Sequence, residues 1–207
     1  MRGVAVALLL FTISAHAQDD AKRAGTPVTL INPGFESKES GKLGAPDGWW
    51  VVQHAGPLSY TWTLDPAAPR SGERSLKVEN VGPEPFGSVF QKVSAAPYRG
   101  KTLRFTAWLR TDKAAGNQFG KGAGLNLMSM RGGYPLEFVM MRDDAVAGTT
   151  DWKRYEARLK IPNEADEIEF GMSLYGPGIA WFDDASLFVE GTAAIDAPGT
   201  GRMKPLR

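Results

Sequence analysis

The sequence predicts an all-β chain, an antiparallel β-sandwich of the jelly-roll, galactose-binding-domain-like kind, and three observations carry that prediction. Apolar and polar residues alternate at period two in several runs, clusters of Gly, Pro, Asp and Ser separate those runs, and no amphipathic helix longer than two turns can be drawn. Taken in order, residues 1–17 (MRGVAVALLLFTISAHA) hold one positive charge at Arg2, an apolar run from Val4 to Ile13 and the small-x-small triplet Ala15-His16-Ala17. The run is too short to span a bilayer and ends in a cleavage signature, so it reads as a secretory signal peptide and the product as secreted or periplasmic. Residues 18–28 read as a flexible leader, 29–190 as one domain, and 191–207 (GTAAIDAPGTGRMKPLR) as a Gly/Pro/Ala-rich flexible tail.

Within the domain, Lys101 to Arg110 (KTLRFTAWLR) places Leu103, Phe105, Ala107 and Leu109 on one face and Arg104, Thr106, Trp108 and Arg110 on the other. Asp166 to Tyr175 repeats the pattern, with Ile168, Phe170, Met172 and Leu174 opposite Glu167, Glu169, Gly171, Ser173 and Tyr175. Ser75 to Val78, Ser88 to Val93, Gly124 to Met130, Lys153 to Ile161 and Ile179 to Val189 also read as strands. Turn clusters fall between them at 69–72, 82–85, 131–133, 147–150 and 176–178, and Gly132-Gly133 is a hairpin signal.

Composition narrows the function classes. The chain has 24 Lys+Arg against 23 Asp+Glu, no Cys and 2 His. Without Arg2 the charges balance, so no net field steers the chain onto nucleic acid or an anionic membrane, and neither partner is expected. The lack of cysteine excludes disulfides, thiolate nucleophiles and zinc clusters. His54, the one histidine beyond the leader peptide, excludes a multi-histidine metal site. No second stretch reaches the length of a membrane helix.

Several motifs occur together and in order. Ile31-Asn32-Pro33-Gly34-Phe35-Glu36 with Pro46-Asp47-Gly48-Trp49, then Ser71-Gly72-Glu73-Arg74-Ser75-Leu76-Lys77-Val78, Tyr98-Arg99-Gly100-Lys101 through Trp108, Thr149-Thr150-Asp151-Trp152-Lys153-Arg154-Tyr155, and Ala180-Trp181-Phe182-Asp183-Asp184 resemble the conserved-position strands of carbohydrate-binding-module jelly rolls of families 4, 9 and 22. Within that group the chain is similar to the galactose-binding-like domain found beside secreted serine peptidases of the carboxy-terminal-processing type and in some AraC-type regulators. Many such relatives place a Trp where this chain has Asn126, between Leu125 and Leu127. The resemblance implies a structural calcium held by Glu36 and Asp183, with Ser71-Gly72-Glu73 nearby; the alternative is that these carboxylates only bond turn amides.

Aromatic residues form the second candidate site. Trp108 and Tyr175 fall opposite the aliphatic layer, and Arg104, Arg110, Asn126 and Glu169 share that parity, with Tyr134 also a candidate. Sugar rings stack on such rings while polar neighbours bind hydroxyls. Trp49, Trp152 and Trp181 read as core or strand-end packing. Arg142-Asp143-Asp144 and residues 163–167 read as solvated turns rather than acid/base pairs, and His54 as a rim residue. Gly120-Lys121-Gly122-Ala123-Gly124 lacks the spacing of a phosphate loop. The expected function is a non-catalytic module for carbohydrate or a similar small ring-bearing ligand. The alternative is a calcium-dependent enzyme on the same scaffold, cyclase-like or glycan-active. The cyclases of hapalindole-type alkaloids place a Tyr, a Phe and an Asp around an aromatic cavity, and Tyr98, Phe138 and Asp143 are the matching types.

Overall fold

A computed structural model of the chain describes residues 25–37, 41–67 and 69–190. The expected signal peptide at 1–17, most of the expected leader and the tail at 191–207 lie outside the described residues. The described strands are β1 (Thr26–Val28), β2 (Trp50–Gln53), β3 (Tyr60–Asp65), β4 (Ser75–Asn80), β5 (Phe86–Ser94), β6 (Thr102–Ala114), β7 (Ala123–Arg131), β8 (Tyr134–Met140), β9 (Gly148–Lys160), β10 (Glu167–Tyr175) and β11 (Ile179–Val189). They form two antiparallel sheets, as the alternation and turn spacing predict. One has the order β3-β4-β11-β6-β9 with β1 also on β11; the other has the order β2-β5-β10-β7-β8. Among the described residues no helix is long and apolar enough to cross a membrane.

Period-two alternation sets the core. Leu103, Phe105, Ala107 and Leu109 of β6 and Ile168, Phe170, Met172 and Leu174 of β10 are fully buried between the sheets. Their rings interlock: Phe105 lies 5.2 Å from Phe170, and Trp49 meets Phe170 at 6.1 Å and Phe182 at 5.6 Å, both edge-on. Trp49 is therefore a core residue.

Four strands go beyond the sequence reading. Thr26–Val28, inside the expected leader, pairs with Leu187–Val189, so the folded unit begins earlier than residue 29. β2 and β3 are short, and β8 contains Pro135 on an edge, where a missing N–H costs no ladder bond. The Gly132-Gly133 hairpin joins β7 to β8 with φ of 56° and 82°, a conformation that glycine adopts without strain.

Phe105 is fully buried and packs on Phe170 and Phe182. Phe105→Ala is expected to cost about 3–5 kcal/mol in chemical denaturation, as other large-to-small core changes do; a cost below about 1 kcal/mol would show that the two sheets do not depend on this contact.

Candidate functional site

Each sheet sends alternate side chains outward, so the sandwich has two candidate faces. On the six-stranded sheet Arg104, Trp108 and Arg110 stand in register with Phe188, Asp183 and Trp181 of β11. The rings there already carry guanidinium groups. Arg70 lies over Trp108 at 4.2 Å, Arg104 over Phe188 at 5.0 Å and Arg110 over Trp181 at 4.8 Å. Trp181 Nε1 also donates to Asp65 at 2.7 Å. Arg104 is buried between Glu156 at 3.8 Å and Glu190 at 3.6 Å, and burial pulls its guanidinium below the ordinary value against the pull of Glu156. Arg158 bonds the same two carboxylates.

The residues expected to share one binding face are thus divided. Arg104, Trp108 and Arg110 belong to the six-stranded sheet, while Asn126, Tyr134, Glu169 and Tyr175 lie on strands of the five-stranded sheet. Alternation fixes the two faces of a strand but not the sheet that the strand joins, so parity alone merges two surfaces on opposite sides of the molecule.

The outward face of the five-stranded sheet has a different character. One row across it runs Trp50, Phe90, Gly171, Asn126, Met140; the row on one side is Val52, Ser88, Ser173, Gly124, and on the other Lys92, Glu169, Met128, Phe138. In the first two rows β10 and β7 carry only Gly171, Ser173, Asn126 and Gly124, with Trp50, Phe90 and Met140 beside them, which makes a shallow trough there. Phe90, Met128 and Met130, with Trp50 and Met140, form an apolar cluster separate from the inter-sheet core. Beneath it lies a polar floor, where Ser88 Oγ is 2.6 Å from Ser173 Oγ and Asn126 Nδ2 donates to Ser173 Oγ at 2.7 Å. Asn126 is fully buried and its Oδ1 has no hydrogen-bond partner. Such an orphaned acceptor costs about 1–3 kcal/mol.

Around this floor the walls are open in places, with Phe138 56% and Val52 41% exposed. Glu169 is half-buried; burial, then the neighbouring Glu167, raises its carboxyl above the ordinary range, and Lys92 opposes the rise. The Lys92 ammonium is itself bonded to Glu167 at 2.7 Å. Tyr175, expected as a platform, is only 3% exposed, because the backbone of Gly120 lies directly on its ring and leaves no space for a side chain. It is an end wall of the trough. Tyr134 is exposed at the tip of the β7–β8 hairpin. Phe90, Met128 and Met140 were not expected in a site, although Ser88 and Phe90 alternate visibly with Val89 and Gln91 in the sequence.

The two carboxylates expected to hold calcium both meet the 70–74 turn. Asp183 is fully buried; its Oδ2 accepts from the Arg70 and Ser71 amides at 2.9 and 3.3 Å, and its Oδ1 from the Asp184 amide at 2.8 Å. Burial nevertheless pushes its carboxyl up to about 6. Glu36 accepts from the Glu73 amide at 3.0 Å and the Arg74 amide at 3.3 Å. A Cβ on Gly34 would lie 3.9 Å from Glu36 Cγ and 4.0 Å from Asp183 Oδ1, so the two side chains flank one glycine. Both carboxylates thus bond turn amides, as the alternative reading has it, while their hard oxygens are also the type of ligand that calcium takes. Among the described residues no group of three or more acidic or histidine side chains gathers, so backbone carbonyls would complete the shell.

The remaining candidates do not converge. His54 Nδ1 sits 3.0 Å from Glu84 at an exposed rim beside Phe86 and Phe119. Tyr98 packs against the inter-sheet core, Phe138 faces outward from β8, and Asp143 is exposed in the turn that follows.

No family model matches the chain. It is 28% identical over 139 residues to an uncharacterized HTH-type transcriptional regulator of Bacillus subtilis, covering 65% of this chain and 45% of that protein. The chain therefore spans less than half the length of the curated relative it matches. Among solved structures it is similar to the C-terminal family 22 carbohydrate-binding module of Clostridium thermocellum Xyn10B, at 18% identity and TM-score 0.54 over 84% of this chain and 98% of that one. The xylan-binding domain of Paenibacillus barcinonensis Xyn10C matches at 12% identity and TM-score 0.54, covering 82% and 99%. A Stig cyclase from Fischerella sp. TAU matches at 14% identity and TM-score 0.57, covering 80% and 98%. These likenesses are of fold, and the fold is the carbohydrate-binding-module-like jelly roll that the motifs resemble.

The unpaired Asn126 carbonyl costs stability while the amide nitrogen of the same side chain returns one hydrogen bond to Ser173, so the two roughly offset. Asn126→Leu is expected to shift the unfolding free energy by less than about 1 kcal/mol, or to raise it; a loss of about 3 kcal/mol would mark the floor as a structural network instead.

Proposed function

We propose that this chain is an exported, non-catalytic binding module that takes carbohydrate, or a similar ring-bearing ligand, in the trough on the outward face of the five-stranded sheet. The observation that carries this reading is the buried, partnerless Oδ1 of Asn126 set in a floor of small polar residues between ring-bearing walls. A binding site needs apolar surface for area and a few placed polar groups for orientation. Trp50 and Phe138 offer faces on which the C–H side of a pyranose stacks, and Asn126, Ser88 and Ser173 offer hydroxyl partners. The six-stranded sheet is the poorer candidate, since Trp108 and Trp181 are covered by Arg70 and Arg110. The signal-like segment 1–17 supports export.

We assign calcium a structural role at Glu36 and Asp183. Bound there, the ion supplies the positive charge that buried Asp183 lacks and links the 31–37 loop to the last strand. Glu36 and Asp183 would hold it, while the amides of residues 70–74 keep both carboxylates oriented.

Two outcomes follow from this reading. In calorimetric titration with xylo- and gluco-oligosaccharides, Phe138→Ala is expected to weaken binding by about 1–3 kcal/mol and Trp108→Ala to leave it unchanged. Absence of saturable binding, or loss of binding on Trp108→Ala alone, would refute the placement of the site. Calcium is expected to raise the melting temperature, adding about 2.7 kcal/mol at a hundredfold excess over Kd, and Asp183→Ala to lose that response. A melting temperature indifferent to chelator would remove the metal.

A further inference from the structure

The charges along one edge of the trough do not balance: two carboxylates, Glu167 and Glu169, share one ammonium, Lys92. Asn126 commits its amide nitrogen to Ser173 and leaves an acceptor oxygen, and Glu169, one row away on the adjacent strand, presents a carboxylate. The Lys92 ammonium stands across from Glu169 but is bonded to Glu167 at 2.7 Å, so it answers Glu169 only in part. On this half of the trough acceptors outnumber donors, beside the rings of Phe138 and Phe90.

We infer that the preferred ligand is an amino sugar, a pyranose whose ammonium group pairs with Glu169 while a neighbouring N–H or O–H donates to Asn126 Oδ1. The inference rests on the reading of this face as a sugar site and narrows its substrate class. An ammonium meets three requirements at once. It neutralises a half-buried carboxylate, it supplies a donor where the floor holds an unpaired acceptor, and it sits favourably beside aromatic faces. A neutral sugar meets only the second. An acidic sugar is repelled by Glu169 and Glu167 together.

The test uses glucosamine oligomers, the matching N-acetylglucosamine oligomers and neutral gluco-oligomers, titrated into the wild type and Glu169→Gln. The expected result is roughly ten- to hundredfold tighter binding of the glucosamine oligomer than of its acetylated twin, falling with added salt. In Glu169→Gln the preference is expected to vanish while neutral-sugar binding persists. The variant is expected to fold, because it removes a desolvated charge, and its melting temperature reports this independently. Equal affinity for charged and acetylated oligomers, or a preference that survives Glu169→Gln, would overturn the inference and leave the sugar-binding face intact. Failure of every oligomer to bind would overturn both.

Discussion

The buried carboxylate of Asp183 is the constraint around which the rest of the structure is arranged. β11 is central in its sheet, yet its outer neighbour changes along its length: β4 pairs with Ile179–Phe182 and β1 with Leu187–Val189. The gap between them, at a shift in register between Asp183 and Ser186, would leave backbone and charge uncovered. Two loops fill it. The carbonyl of Pro33 accepts from Ala185 at 2.9 Å, and the Arg70 and Ser71 amides bond Asp183. Three non-glycine residues at this junction, Asn32, Phe35 and Asp184, have φ of 46°, 59° and 50°, each a strained conformation held by the contacts around it.

Both layers depend on that junction. Once the 31–37 loop is pinned, Phe35 is set 5.3 Å from Trp49 and 5.2 Å from Phe182, closing one end of the inter-sheet core. Once the 69–74 turn is pinned, Arg70 is held over Trp108 on the outward side. The same buried charge therefore orders aromatic packing inside the sandwich and caps an aromatic ring outside it. This is why the six-stranded face, despite two tryptophans, has its rings occupied by its own cations, whereas among the described residues no arginine stacks on the rings of the five-stranded face.

Much of the fold was legible because it rests on short-range alternation. The core faces of β6 and β10 follow from Leu103, Phe105 and Leu109 and from Ile168, Phe170 and Leu174 as written. The junction was legible through its motif, since Glu36 and Asp183 do meet the same turn. The composition of the binding face was not. Trp108 and Tyr175 have the same parity in their strands but sit on different sheets, and sheet membership is decided by long-range pairing that no single strand encodes. Burial of Tyr175 depends on where the 117–120 loop lands, which its sequence does not state. β1, at three residues, and β8, interrupted by Pro135, are too short or irregular to show a period.

The materials of the five-stranded face bear on how a trough so thoroughly filled with its own side chains can act as a site. Its cover is built from Met128, Met130 and Met140, unbranched residues that repack at little rotamer cost, rather than from the β-branched residues that suit a permanent sheet surface. Its floor is a chain of short hydroxyls ending in an unpaired carbonyl, which a core evolved only for stability would replace with carbon. Displacing soft cover costs a modest amount of apolar contact, and a ligand donor reaching Asn126 recovers the hydrogen bond that the free protein lacks. On the binding reading the two features belong together: the adaptable cover admits a ring, and the unsatisfied floor supplies the reason for it to stay.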